Sequence, residues 1–536
     1  MTFDDTGAAS SVVNITNTPI GFLSASSFTI NPSAAHVYNF AGSGGFAGPG
    51  QMWYTGAGFV SMANVNLHTG GTVISNSAAY LDIKNYGALG AGPLTLAMAG
   101  GSLEVEVSGS ASVGIAGNVN VQDDFTLQFD GTGSFAGVFL GNLAGTSGKK
   151  LIIKPASAAL SAVTRYRLYG SSTVMNADIE VDGNSSAAAN YDATVLAPYH
   201  ATGTQIYNGA ISGTCGLVQR GNGTTILSGA NTYSGGTIPT AGAIGLGSDD
   251  NGSVGSLGSG SLLLAPELPN LTGSGQIFAY GGARTIANSI QYPSGTNNLT
   301  LIIGGTNNLN LSGAFSLQGN DGVQTNSITA RLLQVTNTAA TIISGIIADN
   351  SLGYGITKTG TGSLYLDAAN TYSGLTTISQ GVLAGSGSLN GSVLVTTNGQ
   401  IGGGDYTGIG SLTVNGNLTL TNGGGFFRVN RSGSSSDRVS VTGNLTNFGT
   451  GVITITNVGG TLQVGDTFTL FNKAMVGGGS LSISGGGTGV AWTNYLAVNG
   501  TIQVIPSVNT NPTNITAVVS GSTLTLSWPA DHTGWR

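Results

Sequence analysis

The chain has 536 residues, 90 of them Gly, with 15 Lys plus Arg against 22 Asp plus Glu and a formal net charge of −7. Gly far above the usual ~7% and charged residues at 7% against a usual ~25% set it apart from an average globular enzyme. Apolar residues still make up 40%, which argues against charge-extended disorder; 13 Pro without a three-residue Gly period exclude collagen, and no apolar run approaches the ~20 residues of a membrane-spanning helix.

Basic residues are scattered, so the cationic stripe of a nucleic-acid binder is missing and no nucleic-acid partner is expected. Cys215 is the single cysteine, which rules out an intrachain disulfide and a multi-cysteine metal site. Met1 to Asp5 lack the basic-then-apolar pattern of a secretory signal.

Along the chain, short alternating runs recur: Leu94–Leu96, Phe125–Phe129, Leu309–Leu311, Leu418–Leu420, Val452–Ile455 and Leu481–Ile483. Gly, Asn, Ser and Thr clusters separate them, and helical periodicity is absent, which predicts an all-β protein. One cassette appears three times, at 56–77, 221–242 and 360–381. The first carries Gly56, Gly58, Val60, Met62, Asn66, His68, Gly70 and Gly71. The second carries Gly221, Gly223, Thr225, Leu227, Asn231, Tyr233, Gly235 and Gly236; the third has Gly360, Gly362, Leu364, Leu366, Asn370, Tyr372, Gly374 and a closing Gly381. Each Asn follows the first Gly by ten residues.

Physically, each cassette reads as strand, tight corner, strand. The alternate pair points to one face, which is the core. Gly allows the corner backbone, while Asn tolerates it and offers an amide to neighbouring chain. A unit of about 20 residues cannot close a core alone, so units must stack. The prediction is a right-handed parallel β-helix, or β-solenoid, of about 20 to 25 residues per coil. Stacked like charges destabilise whereas Thr, Ser and Asn ladders do not, so low charge needs no chemistry to explain it.

The cassette resembles the autotransporter-associated β-strand repeat: Gly-x-Gly, two alternating apolar residues, then Asn, Thr, Tyr, Ser or Thr, Gly, Gly, Thr. Leu67 and His68 replace the usual Thr and Tyr in the first copy, and Leu375 replaces the second Gly in the third. Asp437 to Phe471 is similar to the capping segment that follows such repeats in large secreted bacterial proteins. The resemblance implies a β-helix over 1–505, with 437–505 as its capping region. Residues 506–513 read as a linker, and 514–536 as the short, incomplete start of a C-terminal β module with strands at Ile515–Val519 and Leu524–Trp528. It also implies an extracellular or outer-cell-surface location.

Parallel β-helices also carry polysaccharide lyases and glycoside hydrolases, which need carboxylates bracketing a sugar bond. Charge is densest between Glu104 and Arg167, and Glu104, Glu106, Asp123 and Asp124 are the catalytic candidates of that alternative; a solvated face of paired charges is the bland account. Four distant His and no acidic repeat at nine residues point to no metal, and no phosphate loop or cofactor motif is present. Asp405 after Gly402–Gly404, and Asp249 with Asp250, read better as polar turns than as calcium loops. Trp53 with Tyr54, and Trp492 with Tyr495, are either sugar-stacking platforms or core and capping aromatics. The expected function is a non-catalytic structural or adhesive surface protein: a stalk, matrix component or adhesin-like passenger. Expected partners are further copies of itself, end to end or side by side, and surface glycans or matrix. The alternative is a carbohydrate-active enzyme or carbohydrate-binding protein on the same fold.

Overall fold

In a computed structural model the chain is described over residues 2–506 and 515–527, apart from 5–11, 18, 22–25, 35, 76–79, 85–86, 98–99, 107–114, 116, 131–134, 139–140, 156–164, 169–172, 182–194, 199, 265–273, 293–299 and 319–329. Two compact units divide it, Met1–Asp349 and Asn350–Arg536. Among the described residues there is no α-helix, only a 3-10 turn at Gly478–Ser480.

Among the described residues of the first unit the named strands pair in parallel, with one isolated antiparallel bridge between Asn231 and Gly255, and successive rungs are supplied by successive coils. One inward column runs in register through Phe28, Met52, Thr72, Leu94, Val119 and Leu143. It continues through Met175, Tyr207, Leu227, Leu246 and Ala279. All are buried, as period-two alternation demands. This is a parallel β-solenoid. Coil length is less even than expected: 19 residues separate Leu227 from Leu246, and 33 separate Leu246 from Ala279. Only strands must match between rungs; the corners can lengthen freely.

Three long parallel sheets form the faces of this unit. The column above belongs to the first. A nine-stranded second sheet runs from Val12–Thr16 to Ile211–Gly213, and a nine-stranded third runs from Phe135–Val138 to Ile347–Ala348. A small sheet of Ile20–Gly21, Phe46–Gly48 and Leu67–His68 precedes the third.

The second unit stacks in the same way: Ile356, Thr376, Val393, Leu418 and Leu445 form a buried, parallel, in-register column. Five of the six expected runs are strands as predicted. In the sixth, Leu481 lies outside the strand Ser482–Gly485, because it finishes the 3-10 turn that begins at left-handed Gly477. Parallel pairing then gives way to an antiparallel sheet of Thr467–Thr469, Thr501–Pro506 and Val490–Tyr495. Trp492 lies across its edge, donating its indole N–H to Gly485 O at 2.9 Å and meeting the Phe468 ring edge-on at 6.1 Å. Thr516–Ser520 and Thr523–Ser527 form an antiparallel hairpin exposed at every position. Trp528 lies outside the described residues.

Candidate functional site: repeat corners and charged turns

The alternate pairs of all three cassettes point inward: Val60 and Met62, Thr225 and Leu227, Leu364 and Leu366 are buried. The cassette Asn is buried too, and its amide ties coils together. Asn231 accepts the Ile211 N–H of the preceding coil at 2.8 Å and donates to Ser256 O of the following coil at 2.9 Å. Asn66 does the same between Phe46 N–H, at 2.9 Å, and Ala88 O. Asn370 donates to Ser388 O at 3.1 Å and to Ala368 O at 3.0 Å. One side chain thereby satisfies backbone groups that a corner leaves without sheet partners.

Two residues beyond each Asn, a buried ring is bonded to a threonine four positions later. Tyr233 meets Thr237 Oγ1 at 2.6 Å and Tyr372 meets Thr376 Oγ1 at 2.7 Å. His68 takes the Tyr position and meets Thr72 Oγ1 through Nε2 at 2.9 Å. Burial keeps both phenols protonated and pushes the His68 pKa down to about 4, so a neutral imidazole replaces a neutral phenol.

Glycines fill the positions that side chains cannot. Gly71 and Gly236 sit at φ +94° and +85°, whereas Leu375 at the equivalent position has no positive φ and projects outward, 46% exposed. Closing Gly242 and Gly381 both have positive φ; a Cβ at Gly381 would lie 2.6 Å from Gly360 O and 2.7 Å from Gly362 O. Gly235 and Gly374 approach the preceding coil equally closely, donating to Cys215 O at 2.8 Å and Tyr354 O at 3.1 Å.

Sequence reasoning missed the donor that organises the Gly-x-Gly corner. Two residues before it stand Gln219 and Lys358, on strands and at inward parity, both fully buried. Gln219 donates to Gly221 O at 3.0 Å and Gly223 O at 3.2 Å. Lys358 donates to Gly360 O and Gln380 O, both at 2.8 Å, and to Thr359 O at 3.3 Å. Burial pushes the Lys358 pKa down to about 8. The signal was available: a polar residue on the apolar parity of a strand at the same offset in two cassettes.

The cassettes are phased differently on the first unit. Gly56–Gly58 turns from the first sheet into the second, between Gln51–Tyr54 and Phe59–Met62. Gly221–Gly223 turns from the third sheet into the first, between Gly216–Gln219 and Thr224–Leu227. Between the two copies the cassette has moved round the column by one face.

The charged stretch divides into two places. Glu104 and Glu106 lie on Gly101–Glu106 of the second sheet, at the register positions of Gln128 and Asp130. Asp123 and Asp124 lie in the turn before Phe125, where Asp124 O accepts the Gly100 N–H. Asp124 is four residues short of Gln128, so its backbone and that of Glu104 are offset by about 13 Å along the strand. Asp123 forms an ion pair with Lys149, Asp124 accepts the Lys150 N–H at 3.0 Å, and Lys150 pairs with Glu180. The hydrogen bond and charge of Asp123 raise the Lys149 pKa.

Other candidates face inward or are filled by protein donors. Tyr54 is buried and donates to Met52 Sδ at 3.4 Å, so it forms no platform with Trp53, which donates to Gln51 Oε1 at 2.7 Å. Asp250 accepts Gly252 and Leu257 N–H at 2.8 and 2.9 Å, and Asp249 accepts Thr285 N–H at 2.8 Å. Among the described residues no three His, Cys, Asp or Glu converge as metal ligands, and no helix is long and apolar enough to cross a membrane. His532 lies outside the described residues.

Compared with known proteins, residues 217–243 and 356–384 match the passenger-associated-transport-repeat family. These segments are passenger-associated transport repeats. They enclose the buried Asn, the Tyr–Thr pair and the corner donors Gln219 and Lys358. The chain is also similar to the adhesin BmaC autotransporter of Brucella suis biovar 1 (strain 1330), 31% identical over 231 residues. That similarity covers 37% of this chain and 7% of the Brucella protein.

Proposed function

We propose that the chain is a passenger-type surface protein: a non-catalytic β-solenoid, exported to the cell surface or beyond, that serves as stalk and adhesive surface. The observation that carries this reading is the pair of passenger-associated transport repeats, each built as a coil whose buried Asn and Tyr lock a corner. The likeness to a protein named an autotransporter adhesin supports it. The physics suits the role. Backbone bonds between coils and buried aliphatic columns stiffen the chain without disulfides, while Thr, Ser and Asn outside give low charge and many hydroxyl and amide contacts. Association with further copies of itself, and contact with surface glycans or matrix, are part of the proposal.

The test is a surface-display experiment. The chain, displayed on a non-adherent bacterium through a heterologous anchor, should promote attachment to glycan- or matrix-coated surfaces, and light scattering should show association rising with concentration. Equal attachment by displaying and bare cells would overturn the adhesive reading; release of reducing ends or unsaturated products from acidic polysaccharides would overturn the non-catalytic one.

A further inference from the structure

The parallel stack of the second unit ends in a reversal of chain direction that the repeat motif does not account for. The last parallel coil lies on the one before it: Phe471 is bridged to Val439, Val476 to Thr446, and Ser482–Gly485 pairs with 452–455. On that final strand the Ser482 and Gly486 N–H groups donate back to Gly451 O and Ile455 O at 3.1 and 2.9 Å, so alternation turns the backbone groups of Leu481, Ile483 and Gly485 away from the preceding coil. Outward groups of this kind are a template for a further strand. Here the chain instead reverses through Gly485, Gly486, Gly487 and Gly489, all at positive φ, and returns as Val490–Tyr495 and Thr501–Pro506.

The returning segment retraces the last coil in the opposite sense, its residue numbers falling as those of the coil rise. Gly465 N–H donates to Val504 O and Val504 N–H to Asp466 O, both at 2.9 Å, and 467–469 pairs antiparallel with 501–503. Leu470 N–H then reaches Gly500 O at 3.0 Å, and Met475 N–H reaches Leu496 O at 2.8 Å. Further along, side chains take over. Asn494 Nδ2 donates to Gly478 O at 3.0 Å and to Leu481 O at 2.8 Å, and Trp492 Nε1 donates to Gly485 O at 2.9 Å. Register sets Phe468, Ile502 and Asn494 side by side in one row and Val504 beside Trp492 in the next, so the five share a face. Phe468, Ile502 and Val504 are buried on it, whereas Thr467 and Thr469 on the other face are exposed. The three strands form a lid with an apolar underside and a polar top.

We propose that this lid is an autoinhibitory contact: it occupies a strand edge that a second copy of the chain would otherwise pair with. The outward carbonyls of Leu481 and Gly485 are each taken by a lid side chain, and the reversed strands replace the parallel template on which the column is stacked. Joining at this end then requires the lid to leave, whereas side-by-side contact does not. The contact is independent of adhesion and of the self-association proposed above: a wild-type chain that stays monomeric would count against that association and leave this contact standing.

The experiment opens the lid in the full chain. Trp492→Ala with Asn494→Ala removes its side-chain donors and spares its underside; Ile502→Asp, the stronger variant, places an unpaired charge at a fully buried position. In at least one of them hydrogen exchange over 490–506 should quicken while 393–421 stays protected, and light scattering should then give at least twice the wild-type molar mass at the same concentration. Ile483→Pro, added to that variant, deletes an outward N–H without touching the bonds to the preceding coil and should return the mass to the wild-type value. The proposal is overturned if an open lid on a protected column leaves the mass unchanged, or if Ile483→Pro fails to reverse the association, which would mark exposure of apolar core in place of edge pairing. It is overturned equally if no variant opens the lid separately from the column.

Discussion

Lys358 is the sharpest place to test how the corners hold. Its ammonium sits fully buried among three backbone carbonyls, where its equivalent Gln219 presents a neutral amide to the same corner. The pKa falls from 10.5 to about 8, and at ~1.36 kcal/mol per unit the folded state pays about 3 kcal/mol to keep the charge at pH 7. Lys358→Gln removes that cost and keeps amide donors, though the shorter side chain forfeits part of the three-carbonyl contact; a net gain of about 1–3 kcal/mol is expected. The pH dependence fixes the sign. Between about pH 8 and 10.5 the unfolded chain holds a proton that the folded chain has released, so wild-type stability rises with pH through that window and the advantage of the variant shrinks to nothing above it. Hydrogen-exchange mass spectrometry of the peptides spanning 356–384, corrected for intrinsic exchange, reads this locally, which suits a repeat protein whose units open separately. About 2 kcal/mol appears as roughly 30-fold slower exchange at pH 7. Faster exchange in the variant, or a gap that does not narrow with rising pH, would refute the reasoning.

Asn231→Ala orphans the Ile211 N–H and Ser256 O, at about 1–3 kcal/mol each, and should speed exchange in the coils on both sides of residue 231 and not only in its own. His68 has a folded pKa of about 4 against 6.5 unfolded, so the unfolded chain binds more protons between those values and stability falls as pH drops through that window, by up to about 3 kcal/mol. His68→Tyr, which restores the phenol of the other copies, should abolish that acid sensitivity in the exchange of residues 66–74; an unchanged profile would place the titration elsewhere. Gly381→Ala forces a Cβ against Gly360 O and Gly362 O at φ +70° and should cost more than about 2 kcal/mol by the same local exchange, while Lys149→Ala on the exposed turn should leave the thermal midpoint unmoved.

The stacked parallel architecture was legible because Val60 with Met62, Thr225 with Leu227 and Leu364 with Leu366 state their inward parity locally, and fixed spacing to Asn66, Asn231 and Asn370 states the repeat. Coil length was not, because rung pairing constrains strands and leaves corners free, as the 33 residues from Leu246 to Ala279 demonstrate. Gln219 and Lys358 were overlooked because a polar residue on core parity looks like noise until the carbonyls of the facing corner are located. Glu104 and Asp124 are near in sequence order of coils yet offset along the strand, a displacement fixed by register and invisible to residue counting.

The one-face displacement between the Gly56 and Gly221 cassettes bears on how a partner meets the first unit. A receptor that recognised one motif position at both copies would have to reach round an edge, since homologous side chains look in different directions. Avidity along a flat counter-surface therefore has to come from unlike residues that happen to share a side, so sequence likeness among repeats is a poor guide to which of them touch the same thing.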